Sequence, residues 1–295
     1  MKEITGTGVA MVTPFLADGA VDVKGLQKLT EHLILGGIDH LVVLGTTGET
    51  VTLSVAEQNL VIETIMEVNQ GRLPLVLGAG GNNTTEVQAV MARYAKDYQP
   101  AAFLSASPAY NKPTQAGIIA HFRQLAAHTD IPIILYNVPG RTASNMTSAT
   151  TLEIANSFDH VVAIKEASGD LVQGMEIIQG SKSGFLTLSG DDILTLPMLS
   201  VGFAGLISVI GNAFPKATSE MVRLGRAGNF AEAKKLHYQL MRLMQLIFAE
   251  GNPAGIKAVL AQLGICQAHV RLPLLPASAD LNAQLRLAVE QLKAA

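Results

Sequence analysis

The sequence predicts an α/β protein, a closed parallel (β/α)8 TIM barrel with a C-terminal helical appendage. Three observations carry that expectation. Short apolar runs rich in β-branched residues recur eight times, with helical patterns between them. The runs are apolar throughout instead of alternating, as strands covered on both faces must be. Beyond about Arg226 the runs stop and only helical stripes follow. An open doubly wound sheet is the alternative that the same alternation allows.

In chain order, strands are expected at Val9 to Val12, Leu41 to Leu44, Leu75 to Leu77, Ala101 to Leu104, Ile131 to Leu135, Val161 to Ile164, Phe185 to Leu188 and Leu206 to Ile210. Between them, Leu26, Leu29 and Leu33 form a helical stripe that Gly36-Gly37 ends, and Ile118, Phe122 and Leu125 form another. Ser54 with Glu57, and Asn83 with Glu86, have capping-box spacing. Past the last strand, Leu236, Leu240, Leu243 and Ile247 share one helix face, a Pro253 to Gly264 segment follows, and a last helix is expected near Leu281 to Leu292. This divides the chain into a barrel over residues 1–226 and a helical subdomain over 227–295. No Ser/Gly linker or charge run separates the two, so the appendage should pack on the barrel.

Composition excludes several classes. Hydrophobic residues make up 48% of the 295 and charged residues 15%, so burial can offset chain entropy, and 27 Gly and 12 Pro follow no short period. Disorder and collagen are out. The formal charge is -3 and no basic stripe tracks phosphates, which argues against nucleic acid. The one cysteine, Cys266, cannot close an intramolecular disulfide and reads as a small core residue, in keeping with a reducing cytoplasm. Met1-Lys2-Glu3-Ile4 leads into Thr-Gly alternation without the apolar stretch of a secretory signal, and no apolar run approaches the roughly 20 residues that span a bilayer.

The chemistry narrows in the same way. The chain has no G-x-x-x-x-G-K-[ST] loop, no G-x-S-x-G elbow and no H-E-x-x-H, and its seven His lack metal-ligand spacing. Gly78-Ala79-Gly80-Gly81-Asn82-Asn83 approaches a dinucleotide loop but lacks the third glycine. Ser189-Gly190-Asp191-Asp192 puts two carboxylates after strand 7, where barrel enzymes for phosphorylated substrates often bind phosphate. Such a substrate is disfavoured.

Four segments at strand ends remain. In Val161-Val162-Ala163-Ile164-Lys165-Glu166, alternation puts Val161, Ala163 and Lys165 on one face. If that face is inward, Lys165 enters the barrel mouth, where desolvation favours the neutral amine that attacks a carbonyl to give a Schiff base; a 2-oxo acid could then become an enamine. A strand-end lysine alone can equally snorkel to solvent. Leu135-Tyr136-Asn137-Val138-Pro139-Gly140-Arg141-Thr142 supplies company: Tyr136 can move protons for carbinolamine formation, and Arg141 offers a planar fork for a carboxylate. Separately they also read as a rim tyrosine and a surface ion-pair partner. Leu44-Gly45-Thr46-Thr47-Gly48-Glu49 is a Gly-rich turn whose backbone N–H groups and two hydroxyls suit a small anion. The last, Ser107-Pro108-Ala109-Tyr110-Asn111-Lys112-Pro113, is a Pro-bracketed loop that exposes Tyr110.

With Gly8-Val9-Ala10-Met11-Val12-Thr13-Pro14-Phe15, Gly251-Asn252-Pro253 and Arg271-Leu272-Pro273-Leu274, these segments resemble, in order and over most of the chain, the dihydrodipicolinate synthase family of the pyruvate-dependent, Schiff-base aldolase and lyase superfamily. The resemblance implies that Lys165 forms the Schiff base with pyruvate and that Tyr136 transfers protons through a relay with Thr46 and with Tyr110 reaching in from a neighbouring subunit. It implies that the backbone at Thr46 and Thr47 holds the pyruvate carboxylate, that Gly190 and the main chain of Ile207 line the site, and that Arg141 binds the carboxylate of the aldehyde. Arg141 favours L-aspartate 4-semialdehyde as acceptor over the N-acetylneuraminate and sugar-acid substrates of sister enzymes. The implied product is hydroxytetrahydrodipicolinate, on the route to lysine and diaminopimelate. No metal or organic cofactor is implied, and the implied assembly is a homotetramer, a dimer of dimers.

The sequence departs from the family pattern at Ala109, where many members carry a second tyrosine, and at Val55 and Gln58, which stand at histidine positions of the lysine feedback cavity. Asn82 and Glu86 still match. Feedback by lysine is therefore expected to be weak or absent. The rival readings are another aldolase or lyase of the superfamily, distinguished by acceptor assays, and a non-enzymatic pyruvate-binding regulator.

Overall fold

Hydrogen bonds run from the first strand round to the eighth and back, so the parallel sheet has no edge. This is the arrangement in the computed structural model, which describes residues 4–294; the expectation at Met1 to Glu3 lies outside them. The strands are β1 (Gly6–Ala10), β2 (His40–Val43), β3 (Leu75–Gly78), β4 (Ala102–Ala106), β5 (Ile133–Asn137), β6 (Val161–Glu166), β7 (Leu186–Ser189) and β8 (Gly205–Ser208). The fold is the closed (β/α)8 barrel, not the open sheet.

Each strand sends alternate side chains to two cores. Ala10, Val42, Val76, Leu104, Ile134, Ala163, Leu188 and Ile207 fill the barrel, whereas Val9, Leu41, Leu77, Phe103, Leu135, Ile164 and Leu206 pack under the helices. This double burial is why the runs are continuously apolar. One expected alternation fails: Ile133 pairs with Val161 but Ile134 with Ala163, so Val162 is an extra residue in β6. Val161 therefore turns outward, and only Ala163 and Lys165 of the expected trio face inward.

Several strand boundaries also shift. The first strand begins at Gly6, before the apolar run, because Gly6 and Thr7 pair with Gly205 and Leu206 of β8; a Cβ at Gly8 would lie 2.1 Å from the buried His40 Nε2. β5 extends to Asn137, which puts Tyr136 within the strand.

The outer layer comprises α1 (Val23–Leu35), α2 (Val55–Asn69), α3 (Thr84–Tyr98), α4 (Gln115–Ala126), the single turn α5 (Pro139–Thr142), α6 (Ser148–Ser157), α7 (Leu171–Gly180), α8 (Thr195–Ser200) and α9 (Pro215–Arg226). In α1, Leu26, Leu29 and Leu33 are fully buried, each contributing about 1.5–3 kcal/mol. The Asp22 carboxylate caps that helix by accepting from Gly25 N at 2.9 Å. Ser54 and Glu57 do form a capping box on α2. Asn83 and Glu86 do not: Asn83 Oδ1 accepts from Thr85 N, two residues on, and no return bond from Glu86 occurs among the described residues.

Beyond α9 lie α10 (Phe230–Leu246), α11 (Ala254–Gln262) and α12 (Ala279–Ala294). Leu240, Leu243 and Ile247 are fully buried, with Leu236 packed beside them. Cys266 is half-buried against the same core, and its burial raises the thiol pKa to about 11. Polar tethers also join this region to the barrel. Lys257 is buried; its Nζ donates to Glu49 Oε1 at 2.5 Å and to His269 O at 2.8 Å, 4.1 Å from the centre of the Phe15 ring. Burial pulls its pKa down and the Glu49 carboxylate opposes that pull. The Arg271 guanidinium lies 4.4 Å from the Phe15 centroid and donates to Gly19 O, Thr52 O and Glu57.

Candidate active site

The C-terminal ends of the strands surround a cavity of about 480 Å3 lined by Lys165, Tyr136, Thr46, Thr47, Gly190 and Arg141 among others. Lys165 is 5% exposed, and its Nζ lies 4.4 Å from the centroid of the buried Tyr136 ring. The cause is register: Tyr136 on β5 is paired with Lys165 on β6, and both point inward. Gly190, at the end of β7, completes the niche. A Cβ there would approach Lys165 Cε to 3.0 Å and Ala167 Cβ to 2.7 Å, so glycine leaves room for the lysine stem. Its own N–H is committed to Glu166 O at 2.8 Å.

The residues one step farther along these strands face outward and bond to each other. Asn137 Nδ2 donates to the Glu166 carboxylate at 3.1 and 3.2 Å and to Asn145 Oδ1 at 2.8 Å. Gln173 Nε2 and Ser168 N also donate to Glu166, at 3.0 and 2.7 Å, and Asn145 Nδ2 reaches Gln173 Oε1 at 2.8 Å. These neutral donors satisfy a fully buried carboxylate and lock the ends of β5 and β6 together behind Tyr136 and Lys165. Local sequence pattern does not reveal this network, because its members come from β5, β6 and α7 and the segment between β5 and α6. A carboxylate on the outward face of an otherwise apolar strand was the available signal.

Thr46, Thr47 and Gly48 form one 3-10 turn after β2, closed by Gly48 N to Gly45 O at 3.0 Å and Glu49 N to Thr46 O at 3.1 Å. No bond inside the turn uses the N–H groups of Thr46 and Thr47, which leaves them for an anion. Glu49 ends the turn in the left-handed region at φ 54°, a conformation costing about 1–2 kcal/mol for a non-glycine residue. Lys257 and the Arg271 N–H, 2.9 Å from Glu49 Oε2, hold it there.

Arg141 sits on α5, exposed at the rim, and its guanidinium has no partner among the described residues. The carboxylates after β7 line the cavity wall but are engaged. Asp191 Oδ1 accepts from Ile193 N and Leu194 N, and Asp192 accepts from Ser208 Oγ, Val209 N and Ile210 N. Burial raises the Asp192 pKa against those bonds. They occupy the backbone donors at the end of β8 that a phosphate would otherwise use.

Two expected residues stand apart. Ile207 packs in the barrel core beneath the cavity, and Val209 supplies the lining at the end of its strand. Tyr110 is 89% exposed, at φ 65°, and lines neither this cavity nor the adjoining one. Within one chain, Thr46 and Tyr136 share the cavity without a hydrogen bond between them. The second cavity, about 490 Å3, opens on the first through Thr46, Tyr136 and Arg141 and extends past Gln58, Asn82 and Ala109. From the C-terminal unit, Met244, Gln245, Phe248 and Asn252 roof the first cavity. Among the described residues, no group of three or more His, Cys, Asp or Glu is placed to hold a metal ion, and no helix is long and apolar enough to cross a membrane.

Comparison with known proteins gives a consistent picture. The model of the dihydrodipicolinate synthetase family matches residues 3–292. The 4-hydroxy-tetrahydrodipicolinate synthase of Flavobacterium psychrophilum is 51% identical over 293 residues, 99% of each chain. The crystal structure of dihydrodipicolinate synthase from Thermotoga maritima superposes with a TM-score of 0.96 at 34% identity, covering 99% of both chains. A chloride-inhibited dihydrodipicolinate synthase from Acinetobacter baumannii, complexed with pyruvate, superposes with a TM-score of 0.95 at 38% identity, covering 98% of this chain and 99% of that one.

Proposed function

We propose, from the premise that this chain belongs to the dihydrodipicolinate synthetase family, that it is a lyase joining pyruvate, held as a Schiff base on Lys165, to L-aspartate 4-semialdehyde. The observation that carries the reading is the enclosed Lys165 amine against the Tyr136 ring, in one cavity with the Thr46–Thr47 turn and the unpaired Arg141 fork.

The neutral amine of Lys165 attacks C2 of pyruvate. Tyr136 passes protons to the departing oxygen, and water leaves as the imine forms. The Thr46–Thr47 turn holds the pyruvate carboxylate, while Gly190 and Val209 line the cavity about it. Loss of a C3 proton gives the enamine, whose C3 attacks the aldehyde carbon while Arg141 grips the acceptor's carboxylate. The acceptor's amine then adds to C2 and expels Lys165, closing the six-membered ring of 4-hydroxy-tetrahydrodipicolinate. The two substrates thus yield the ring and one water.

The reading includes Tyr110 of a neighbouring copy as the outer member of the Tyr136–Thr46 relay, in a homotetramer built as a dimer of dimers. Its isolation from its own site supports this. It also takes residues 1–226 as the catalytic barrel, residues 227–295 as its helical roof, and the cytoplasm, where a lone cysteine stays reduced, as the setting. Borohydride added with pyruvate should leave a reduced three-carbon adduct on Lys165, located by peptide mass spectrometry, and a coupled assay should show turnover only when the semialdehyde is also present. An adduct on another lysine, or none, overturns the mechanism.

A further inference from the structure

The C-terminal unit reaches the anion turn at one atom. Asn252, on the segment that leads into α11, lines the catalytic cavity and is 7% exposed; its Nδ2 donates to Thr47 Oγ1 at 2.9 Å. Thr47 is 3% exposed, and its hydroxyl donates to no other group among the described residues. A hydroxyl has one proton to give and two lone pairs to receive. With Asn252 occupying a lone pair, the Thr47 proton is left for the cavity, on the side where Thr46 and Lys165 stand.

The placement of Asn252 is itself fixed. Three residues into α11, Lys257 N bonds to Pro253 O at 3.0 Å, and its ammonium reaches back to Glu49, the residue that ends the Thr46–Gly48 turn. The helix start and the anion turn are thus joined at two points, a buried ion pair at Glu49 and an amide at Thr47. Asn252 Oδ1 is buried without a partner, so the amide is not held by a bond of its own oxygen. Among the described residues its one side-chain bond is to the hydroxyl it aims.

We infer that Asn252 is a positioning residue for the substrate: acting through the Thr47 hydroxyl, it turns a proton toward the carboxylate of the 2-oxo acid bound at the Thr46–Thr47 turn. This rests on the reading of that turn as the pyruvate carboxylate site. An oriented donor already facing the anion spares the reorganisation that a freely rotating hydroxyl would need. Lys165 and the acceptor are untouched by Asn252, so its removal should weaken pyruvate capture and leave the later steps intact.

The test measures the pyruvate concentration that half-saturates borohydride trapping, with intact mass as readout and kcat for the full reaction measured in parallel. Thr47→Val should raise that concentration about tenfold, the scale of one lost hydrogen bond to a charged group, and Asn252→Ala about fivefold, each a larger factor than the accompanying change in kcat. The double variant should match Thr47→Val alone, because Asn252 has no hydroxyl left to aim. In a Thr47→Ser background, which keeps the hydroxyl, the Asn252→Ala penalty should return. Asn252→Leu, close in volume, repeats the measurement if the alanine variant does not fold. An Asn252 penalty of equal size in the Thr47→Val background, or no penalty in either of the two parent hydroxyl backgrounds, overturns the inference alone. Unchanged trapping by Thr47→Val overturns the inference and leaves the backbone reading of the turn standing, whereas absence of pyruvate trapping in the parent enzyme overturns that reading.

Discussion

Lys165 Nζ lies 4.4 Å from the centroid of the Tyr136 ring because the two residues are paired across β5 and β6. The ring walls the amine on one side and Gly190 gives it room on another. Behind the pair, Asn137 and Glu166 repeat the pairing on the outer face as a hydrogen bond. Lys165 and Tyr136, the proposed nucleophile and proton carrier, are therefore held by the sheet itself, not by loops, which limits the motion that would separate them.

Arg141 should act on the acceptor alone. Its fork has no protein partner among the described residues and stands exposed at the rim. Arg141→Leu should retain the borohydride-trapped pyruvate adduct and lose about 10- to 100-fold in kcat/KM for the aldehyde. Lost trapping with unchanged aldehyde dependence would assign Arg141 to the other substrate.

Tyr110 should serve a site it does not belong to. Tyr110→Phe and Lys165→Ala should each be inactive, and mixing the two after subunit exchange should restore roughly a quarter of parental activity, since half of random dimers then carry one intact site of two. Light scattering should show a particle about four times the 31.1 kDa chain. An active monomer, or no recovery on mixing, contradicts the shared site.

Free L-lysine should inhibit weakly or not at all. In the second cavity Ala109 offers no ring to cover a lysine stem, an aromatic contact worth about 0.5–1.5 kcal/mol and so several-fold in affinity. Two of its acceptor atoms are already engaged: Gln58 Oε1 accepts from Tyr94 Oη at 2.9 Å and Asn82 Oδ1 from Ala109 N at 3.1 Å. A lysine titration at limiting pyruvate, repeated on Ala109→Tyr, checks this. Strong inhibition of the parent at submillimolar lysine refutes it, and inhibition gained by the tyrosine variant supports the cause.

His40 should make the barrel acid-sensitive. Its fully buried ring has no hydrogen-bond partner among the described residues, and burial lowers its pKa from 6.5 to about 4. Between those values the unfolded chain binds a proton that the folded chain excludes, so stability falls as pH falls from 6.5 toward 4, by about 3 kcal/mol at ~1.4 kcal/mol per unit. His40→Leu should flatten the decline of melting temperature over that range. An unchanged slope would mean that other groups govern the acid limb.

Local pattern determined a large part of this protein. Strand burial on both faces wrote itself into continuous apolar runs, and the cavity opens where those runs end, so its lining residues Lys165, Tyr136, Arg141 and the Thr46–Thr47 turn were legible from neighbours within a few positions. Tertiary structure decided what depends on distant partners. The extra residue at Val162 turned Val161 outward, because strand register is set by pairing with β5 and not by β6 alone. The Thr46–Gly48 turn is braced by Asn252 and Lys257, which bond to Thr47 and Glu49 across 205 and 208 residues of chain. A buried lysine or amide is tolerated only where a partner arrives to satisfy it, and no periodicity along the chain records which partner folding brings there.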